Sequence, residues 1–195
     1  AADYARKAAE NGGKERVIEC YLDIKKPLHL YSDGFYTPTA YFDHNAESIY
    51  SQYLSGDYDG IIIENSNKSA DDSMIYMVDN PTQIKSATDN IGTFDRNNPD
   101  IRYELRDKRD TEYAKLAKDP EKNEKRLSQL VEQAAKAAGY DSPLLYHGTQ
   151  SFGFTAFDLA KTDDGRSIFL TNNPDIASTY SGISGSRRIS EAADI

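Results

Sequence analysis

Apolar and polar residues alternate in short stretches of the first half of the chain. One such stretch predicts a half-buried strand, because successive side chains of a strand point to opposite faces. Its apolar positions are Ile18, Cys20, Leu22 and Ile24. Pro27 ends this strand or places it at a sheet edge, since proline cannot donate a ladder hydrogen bond. Apolar runs over 61–63 and Met74–Val78 predict two further strands around a polar hairpin loop, 65–73.

The segments that flank these strands have other patterns. Residues 31–45 are rich in Tyr, Asp and Thr and contain Pro38, which predicts a loop. Residues 46–55 predict a short helix, and residues 88–103 are expected to be extended and rich in turns.

The second half of the chain changes to a helical period. Asp119 followed by Pro120 is typical of a helix start, with Asp as the cap and Pro at the first helical position. Gly139 fits the end of this helix. One apolar stripe lies between them and consists of Leu127, Leu130, Val131, Ala134, Ala135 and Ala138. Residues 106–118 are mostly charged and are expected to act as a linker.

Three residues follow this helix in an informative order. His147 ends a short apolar run, Phe169 lies in a second run, and Tyr180 lies on a predicted helix. A lone histidine at a strand end is more often structural than functional, and Tyr180 alone would indicate helix packing. The order and the spacing of the three together carry more information than each one alone.

The triplet His147-Gly148-Thr149 and the eleven-residue step from Phe169 to Tyr180 resemble the NAD-binding half of ADP-ribosyltransferases of the diphtheria-toxin and poly-ADP-ribose-polymerase type. In the polymerases a His-Gly-Ser/Thr strand precedes a Gly-x-Tyr-Phe strand, and a second tyrosine lies eleven positions after the first. The resemblance implies that NAD is the substrate. It also implies an NAD-contacting set of Tyr146, His147, Gly148, Thr149, Ser167, Phe169 and Tyr180.

The chemistry of NAD cleavage suits these residue types. Breaking the nicotinamide–ribose bond leaves a positively charged, oxocarbenium-like sugar, so the enzyme mainly has to hold, desolvate and orient its substrate. The rings of Phe169 and Tyr180 could sandwich the nicotinamide. His147 can hydrogen-bond a ribose hydroxyl, Thr149 adds a hydroxyl, and Gly148 lets the backbone approach the nicotinamide amide.

The first half of the chain carries a second resemblance. Tyr58-Asp59-Gly60, the run 80–86 and the run 94–102 resemble the C-terminal half of ADP-ribosyltransferase domains in large polyvalent proteins of phages and other mobile elements. The halves stand in the reverse of the family order. The resemblance therefore implies residues 1–104 as the closing half, 105–119 as a linker and 120–195 as the N-terminal half, together forming one domain.

The expected fold class is α+β, a split antiparallel β-sandwich of ADP-ribosyltransferase type with flanking helices. The reversed order implies a domain that is circularly permuted or cut from tandem copies. The two chain ends would join into one helix face, although alanine-rich ends look helical in any case. That face consists of Ile189, Ala192, Ala193, Ala1, Tyr4, Ala5 and Ala8, and Gly12 and Gly13 would end the helix. A permuted chain would be a monomer, and a tandem slice could form a dimer that exchanges its halves.

The third catalytic position departs from the family pattern. In the polymerases a glutamate precedes the Tyr-[Ile/Val]-Val run of the closing strand, and Ile75 stands there in this chain. Isoleucine can line the ribose but cannot orient its hydroxyl. Ala177 replaces a serine that helps to hold the nicotinamide amide in the polymerases. Asp72 lies one register off the strand face, and Gln83 is expected to be structural.

Composition limits the partners. The chain has 195 residues, enough for one domain, and its net charge of −9 argues against a groove for the nucleic-acid backbone. Cys20 is its one cysteine, and its three histidines are scattered, so no disulfide framework and no metal site are predicted. The sequence contains no long apolar run or signal peptide, so no membrane partner is expected. We expect a cytoplasmic protein, or one delivered into another cell as part of a larger protein.

Three functions fit these observations. The first is an NAD-dependent mono-ADP-ribosyltransferase that modifies a protein acceptor and releases nicotinamide. The second is an NAD glycohydrolase that uses water as the acceptor. The third is a degenerate, non-catalytic module that binds NAD or a partner protein.

Overall fold

A computed structural model of the chain describes residues 16–32, 34–67, 72–88, 97–101, 108–151, 153–162 and 164–181. Within these residues the fold is α+β, with seven strands in one sheet and four α-helices. The elements in chain order are β1 (Arg16–Leu22), β2 (Pro27–Tyr31), α1 (Pro38–Ser55), β3 (Gly60–Glu64), β4 (Met74–Val78), β5 (Ile84–Ser86), α2 (Lys108–Leu116), α3 (Pro120–Ala137), β6 (Leu145–Thr149), β7 (Ile168–Thr171) and α4 (Pro174–Ser181). None of the helices in these ranges is long and apolar enough to cross a membrane.

The sheet is mixed, with the strand order β2-β3-β4-β7-β6-β1-β5. β2 and β3 are parallel, and every other neighbouring pair is antiparallel. The expected antiparallel pairing is therefore found in five of the six neighbouring pairs and was wrong for β2 and β3. The reason is α1, because a helical crossover between β2 and β3 returns the chain in the same direction.

The sheet is weakly joined at its centre. β6 and β7 share a single residue pair, Tyr146 with Thr171, whereas β1 and β6 share five pairs and β4 and β7 share four. We call the single-pair junction the split. It divides the sheet into an outer wing (β2, β3, β4 and β7) and an inner wing (β6, β1 and β5).

The helix before β3 is longer than the sequence pattern indicated. The predicted loop over 31–45 was wrong from residue 38 onward, because α1 begins at Pro38 and runs to Ser55. Thr37 caps it, and its hydroxyl accepts a hydrogen bond from the amide of Ala40 (3.3 Å). Thr37-Pro38 is thus a helix start, with proline at the position where its missing N–H has no cost.

The charged segment before α3 is also helical. Residues 106–118 were expected to be a linker, but Lys108–Leu116 forms α2, which packs beside α3. Glu112 of α2 accepts a hydrogen bond from Arg126 of α3 (2.8 Å). The predicted start of α3 is confirmed by Asp119, whose side chain caps the first turn, and Gly139 has the left-handed φ of 92° expected after a helix.

Apolar side chains cover both faces of the outer wing. On one face α1 packs Phe42, Ile49 and Tyr50 against the sheet, and the strand residues of this cluster are Leu28, Ile61, Ile63, Ile75 and Met77. The opposite face carries Tyr76, Val78, Ile168 and Leu170, which continue into Ile18, Cys20, Leu22 and Leu145 of the inner wing. A third cluster joins α3 to β1 through Tyr21, Val131, Ala135 and Tyr140.

Some predictions lie outside the described residues. The helix across the two chain ends, with its glycine stop at Gly12 and Gly13, is one of them. The run 94–102 is described only over residues 97–101.

Candidate functional site

His147 lies on β6 at the split. Its Nδ1 is 2.8 Å from the carbonyl oxygen of Phe169 on β7. A carbonyl can only accept, so Nδ1 carries the hydrogen, and in the neutral imidazole Nε2 is then the acceptor. The ring of Phe157 meets the imidazole edge-on, with centroids 4.8 Å apart. The side chain of His147 thus holds the two wings together where the backbone ladder stops.

Gly148 lies under α4. A Cβ atom at this position would be 1.8 Å from the carbonyl oxygen of Ala177 and 3.1 Å from the amide nitrogen of Ser181. The glycine is therefore required for helix packing, a reason that differs from the close approach to nicotinamide that the sequence suggested. Ala177 is 2% exposed, and its backbone forms this contact.

Phe169 and Tyr180 differ in exposure. Phe169 is opposite Met77 on β4, and its ring meets Phe42 of α1 edge-to-face at 5.1 Å. Strand alternation from the pair of Tyr146 with Thr171 puts Phe169 on the face of Tyr146, and His147 on the other face. The imidazole therefore contacts the backbone of Phe169 and not its ring. Tyr180 is 48% exposed on α4.

The other residues predicted to contact NAD are Tyr146, Thr149 and Ser167, and two of them already form hydrogen bonds within the protein. Tyr146 is half-buried on β6, and burial, followed by the charge of Glu19, raises the pKa of its hydroxyl. The hydroxyl of Thr149 accepts a hydrogen bond from the amide of Ser151 (3.0 Å). Ser167 is buried, and its hydroxyl is 2.7 Å from that of Tyr50.

A polar cluster behind Ser167 was missed by sequence reasoning. The hydroxyl of Tyr50 on α1 donates to the carboxylate of Asp164, which also accepts from the amides of Arg166 (2.9 Å) and Ser167 (3.1 Å). Burial alone would raise the pKa of Asp164, but these hydrogen bonds outweigh burial and hold the pKa below its usual value. The only sequence signal for this cluster was the turn composition around Asp164 and Gly165.

The third-motif position is part of the core. Ile75 is 5% exposed, and its neighbours in the sheet are Ile63 on β3 and Thr171 on β7. Glu64, the next residue after Ile63, points to the opposite face and forms a contact of 2.7 Å with Nε2 of His29. Glu64 therefore does not take the place of a carboxylate at position 75.

Asp72 contacts the residue that follows β7, and Gln83 lies at the end of β1. The carbonyl oxygen of Asp72 accepts from the side chain of Asn172 (3.1 Å). The amide of Gln83 donates to the carbonyl oxygens of Asp23 (3.0 Å) and Asp59 (2.6 Å), so it joins the end of β1 to the start of β3. These contacts give Gln83 the structural role that the sequence suggested.

A groove of about 640 Å³ lies away from the split, beside α3. Its lining includes Tyr21, Glu132, Lys136 and Asp141. Glu132 and Lys136 pair with each other at 2.6 Å, one turn apart on the exposed face of the helix. The groove is thus open and charged, and it offers no aromatic sandwich for a flat heterocycle.

A split sheet with an imidazole and an aromatic strand at the split is compatible with an ADP-ribosyltransferase fold. The family model of ADP-ribosyltransferases in polyvalent proteins matches residues 1–94, just under half of the 195 residues. This part of the chain is similar to ADP-ribosyltransferases of the polyvalent-protein type, and the match supports ADP-ribosyltransferase activity in general, with NAD as the substrate of that family. No curated protein and no solved structure gives a significant match. His147, Phe169 and Tyr180 lie outside the matched residues.

Proposed function

We propose that the protein is a mono-ADP-ribosyltransferase that transfers ADP-ribose from NAD to a protein acceptor and releases nicotinamide. The observation that carries this proposal is the imidazole of His147 at the split, 2.8 Å from the carbonyl oxygen of Phe169. The bond fixes the ring, so that Nε2 of the neutral imidazole can accept a hydrogen bond from a ribose hydroxyl.

The other residues of the site bind and orient NAD. The ring of Tyr180, which is 48% exposed, would stack on the nicotinamide. Phe169 would contribute through the carbonyl oxygen that holds His147, because its ring lies on the other face of the sheet and packs against Phe42. Tyr146, Thr149 and the backbone of Gly148 would hold the nicotinamide ribose and the amide. Ser167 would act indirectly, because its hydroxyl is shared with Tyr50.

The reaction needs little covalent participation by the protein. The glycosidic bond breaks and its electron pair leaves with the nicotinamide nitrogen, and a nucleophile of the acceptor then forms a bond to the oxocarbenium carbon. Ile75 cannot orient a ribose hydroxyl for a second transfer to the product, so a single transfer is expected. The acceptor could then supply the carboxylate that the site lacks, as its own side chain.

The strands of the two halves pair with one another in one sheet. β4 of the first half pairs with β7 of the second, and β1 pairs with β6, within one chain. We therefore propose a permuted monomer rather than a dimer with exchanged halves. Light scattering should give the mass of one chain, and a stable dimer would contradict this arrangement.

Labelled NAD tests the activity. With the label on the adenine, we expect the label on the protein itself or on proteins of an added lysate, and its loss in His147→Ala. His44→Ala is a matched control, because His44 also bonds a carbonyl oxygen through Nδ1 (2.8 Å, to Ala40) but lies on α1. Free ADP-ribose as the sole product would indicate a glycohydrolase. No turnover, with or without NAD binding, would favour the degenerate, non-catalytic module. This alternative is specific because the buried Ile75 stands where the polymerases have a glutamate. Activity that persists in His147→Ala would overturn the site assignment.

A further inference from the structure

The runs 80–86 and 97–101 are prominent in the sequence, and the proposed chemistry does not use them. In the structure they meet at Lys85 on β5, which is fully buried. Its ammonium group donates to the carbonyl oxygens of Asn98 (2.6 Å) and Asp100 (2.7 Å). A buried charge is tolerated only with such partners, so this lysine holds residues 97–101 against β5.

The held segment reaches the second half of the chain. The amide of Ser86 donates to the carbonyl oxygen of Ile101 (2.7 Å). The amide of Ile101 in turn donates to the carbonyl oxygen of Thr155 (2.7 Å). Asp100 also forms an isolated bridge with Ala156. We call this set of contacts, from Lys85 to Ala156, the clasp. It joins β5 to the residues that precede Phe157.

Phe157 connects the clasp to the candidate site. Its ring is 9% exposed, packs in the same cluster as Ile101, and meets the imidazole of His147 at 4.8 Å with an interplanar angle of 86°. The imidazole is therefore held from two sides, by Phe157 on one and by the carbonyl oxygen of Phe169 on the other. A shift of residues 154–157 would change the surface on which the imidazole rests.

From these contacts we infer that Lys85 is a positioning residue that fixes the orientation of His147 through the clasp. The inference rests on the proposed function only in taking His147 as the group that acts on NAD. An apolar side chain of similar length would fill the volume of Lys85 but would leave the two carbonyl oxygens without their donor. The hydrogen bonds of the ammonium group, and not only the packing of the side chain, therefore order residues 97–101.

The test uses the full chain with Lys85→Met and Asn98→Ala. Asn98 is exposed, and its side chain accepts from the amide of Asp100 (3.0 Å), so its loss loosens the clasp without opening the core. Lys136→Met is the matched control, since Lys136 is an exposed lysine that pairs with Glu132. The readouts are the imidazole NMR signals of the three histidines, the hydrogen exchange of the Ile101 amide, and the unfolding midpoint.

We expect the His147 signals to move in both clasp variants, while those of His29 and His44 stay in place. Exchange at Ile101 should become about 10-fold faster or more in Lys85→Met, the ratio that corresponds to a lost hydrogen bond to a charged group. If turnover of NAD is found, both variants should lower kcat more than they change KM. Lys136→Met should change none of these quantities.

Unmoved His147 signals in the folded variants would overturn the inference, even if the unfolding midpoint falls. If Lys85→Met does not fold, Asn98→Ala decides the question by the same signals. The NMR readout does not depend on turnover. An inactive wild-type protein would therefore refute the proposed function only. The positioning of His147 by the clasp would still be decided by the NMR signals.

Discussion

Gly148→Ala tests how closely the site depends on the contact between β6 and α4. The new Cβ would lie 1.8 Å from the carbonyl oxygen of Ala177, whereas ordinary contact begins near 3.4 Å, so about 1.6 Å must be made up by movement. The opposing atom is backbone and cannot rotate away, and α4 as a whole has to shift. Overpacking of this kind costs about 1–3 kcal/mol. We expect a value near the upper end, and a displacement of Tyr180 with the helix.

Urea unfolding without NAD measures this cost independently of activity. Gly165→Ala is the matched control, because a Cβ there meets nothing within 4 Å and only the left-handed φ of +64° is unfavourable. That strain costs about 1–2 kcal/mol. The reasoning is refuted if Gly148→Ala changes the free energy of unfolding by less than about 0.5 kcal/mol. A loss of NAD binding with unchanged stability would instead support the direct role at nicotinamide.

Three further changes test other parts of the site. Tyr50→Phe removes the hydrogen-bond donor to Asp164 and should lower the free energy of unfolding by about 1–2 kcal/mol in urea titrations. An unchanged unfolding midpoint would show that this hydrogen bond does not stabilise the fold. Because the pKa of Asp164 is lowered in the folded state, its contribution to stability is present above the usual pKa and is lost as the pH falls through the lowered pKa. The difference in unfolding midpoint between wild type and Asp164→Asn should therefore shrink below about pH 4. A difference that stays constant with pH would contradict the stabilising role of the ionised Asp164 carboxylate. Ile75→Glu buries a carboxylate, so it should lower the free energy of unfolding by about 3 kcal/mol or more without raising NAD turnover. The control Ile75→Val should lower it by about 0.5–1.5 kcal/mol. A stable and more active Ile75→Glu variant would show that the site accepts a carboxylate at this position.

Local patterns were sufficient for much of the fold. The strands β3 and β4, and the helix α3 with Asp119 as its cap, follow from periodicity and from capping residues. Pro38 alone does not predict the start of α1, because a proline can break a helix or begin one, and only the preceding Thr37 distinguishes the two cases. α2 is short, and its stability comes from contacts that no local pattern records, such as the packing of Tyr113 against the cluster that includes Val131 and the ion pair of Glu112 with Arg126 of α3.

The site was predictable only in part, for a similar reason. His147, Phe169 and Tyr180 stand in one short stretch, where their order and spacing can be compared with a family. Tyr50 and Asp164 are 114 residues apart in the chain, and their hydrogen bond depends on how α1 docks on the outer wing. That Ile75 is enclosed on both sides also required the sheet order, since its neighbours come from β3 and β7.

The position of β6 and β7 in the middle of the sheet has a consequence for synthesis. A ribosome delivers β1 to β5 first, yet β4 and β1 find their central neighbours only when the last two strands have emerged. Until then both early strands present unsatisfied ladder edges, which invite pairing with other nascent chains. A fragment limited to residues 1–94 would remain in that state permanently, and we expect it to aggregate when it is expressed alone.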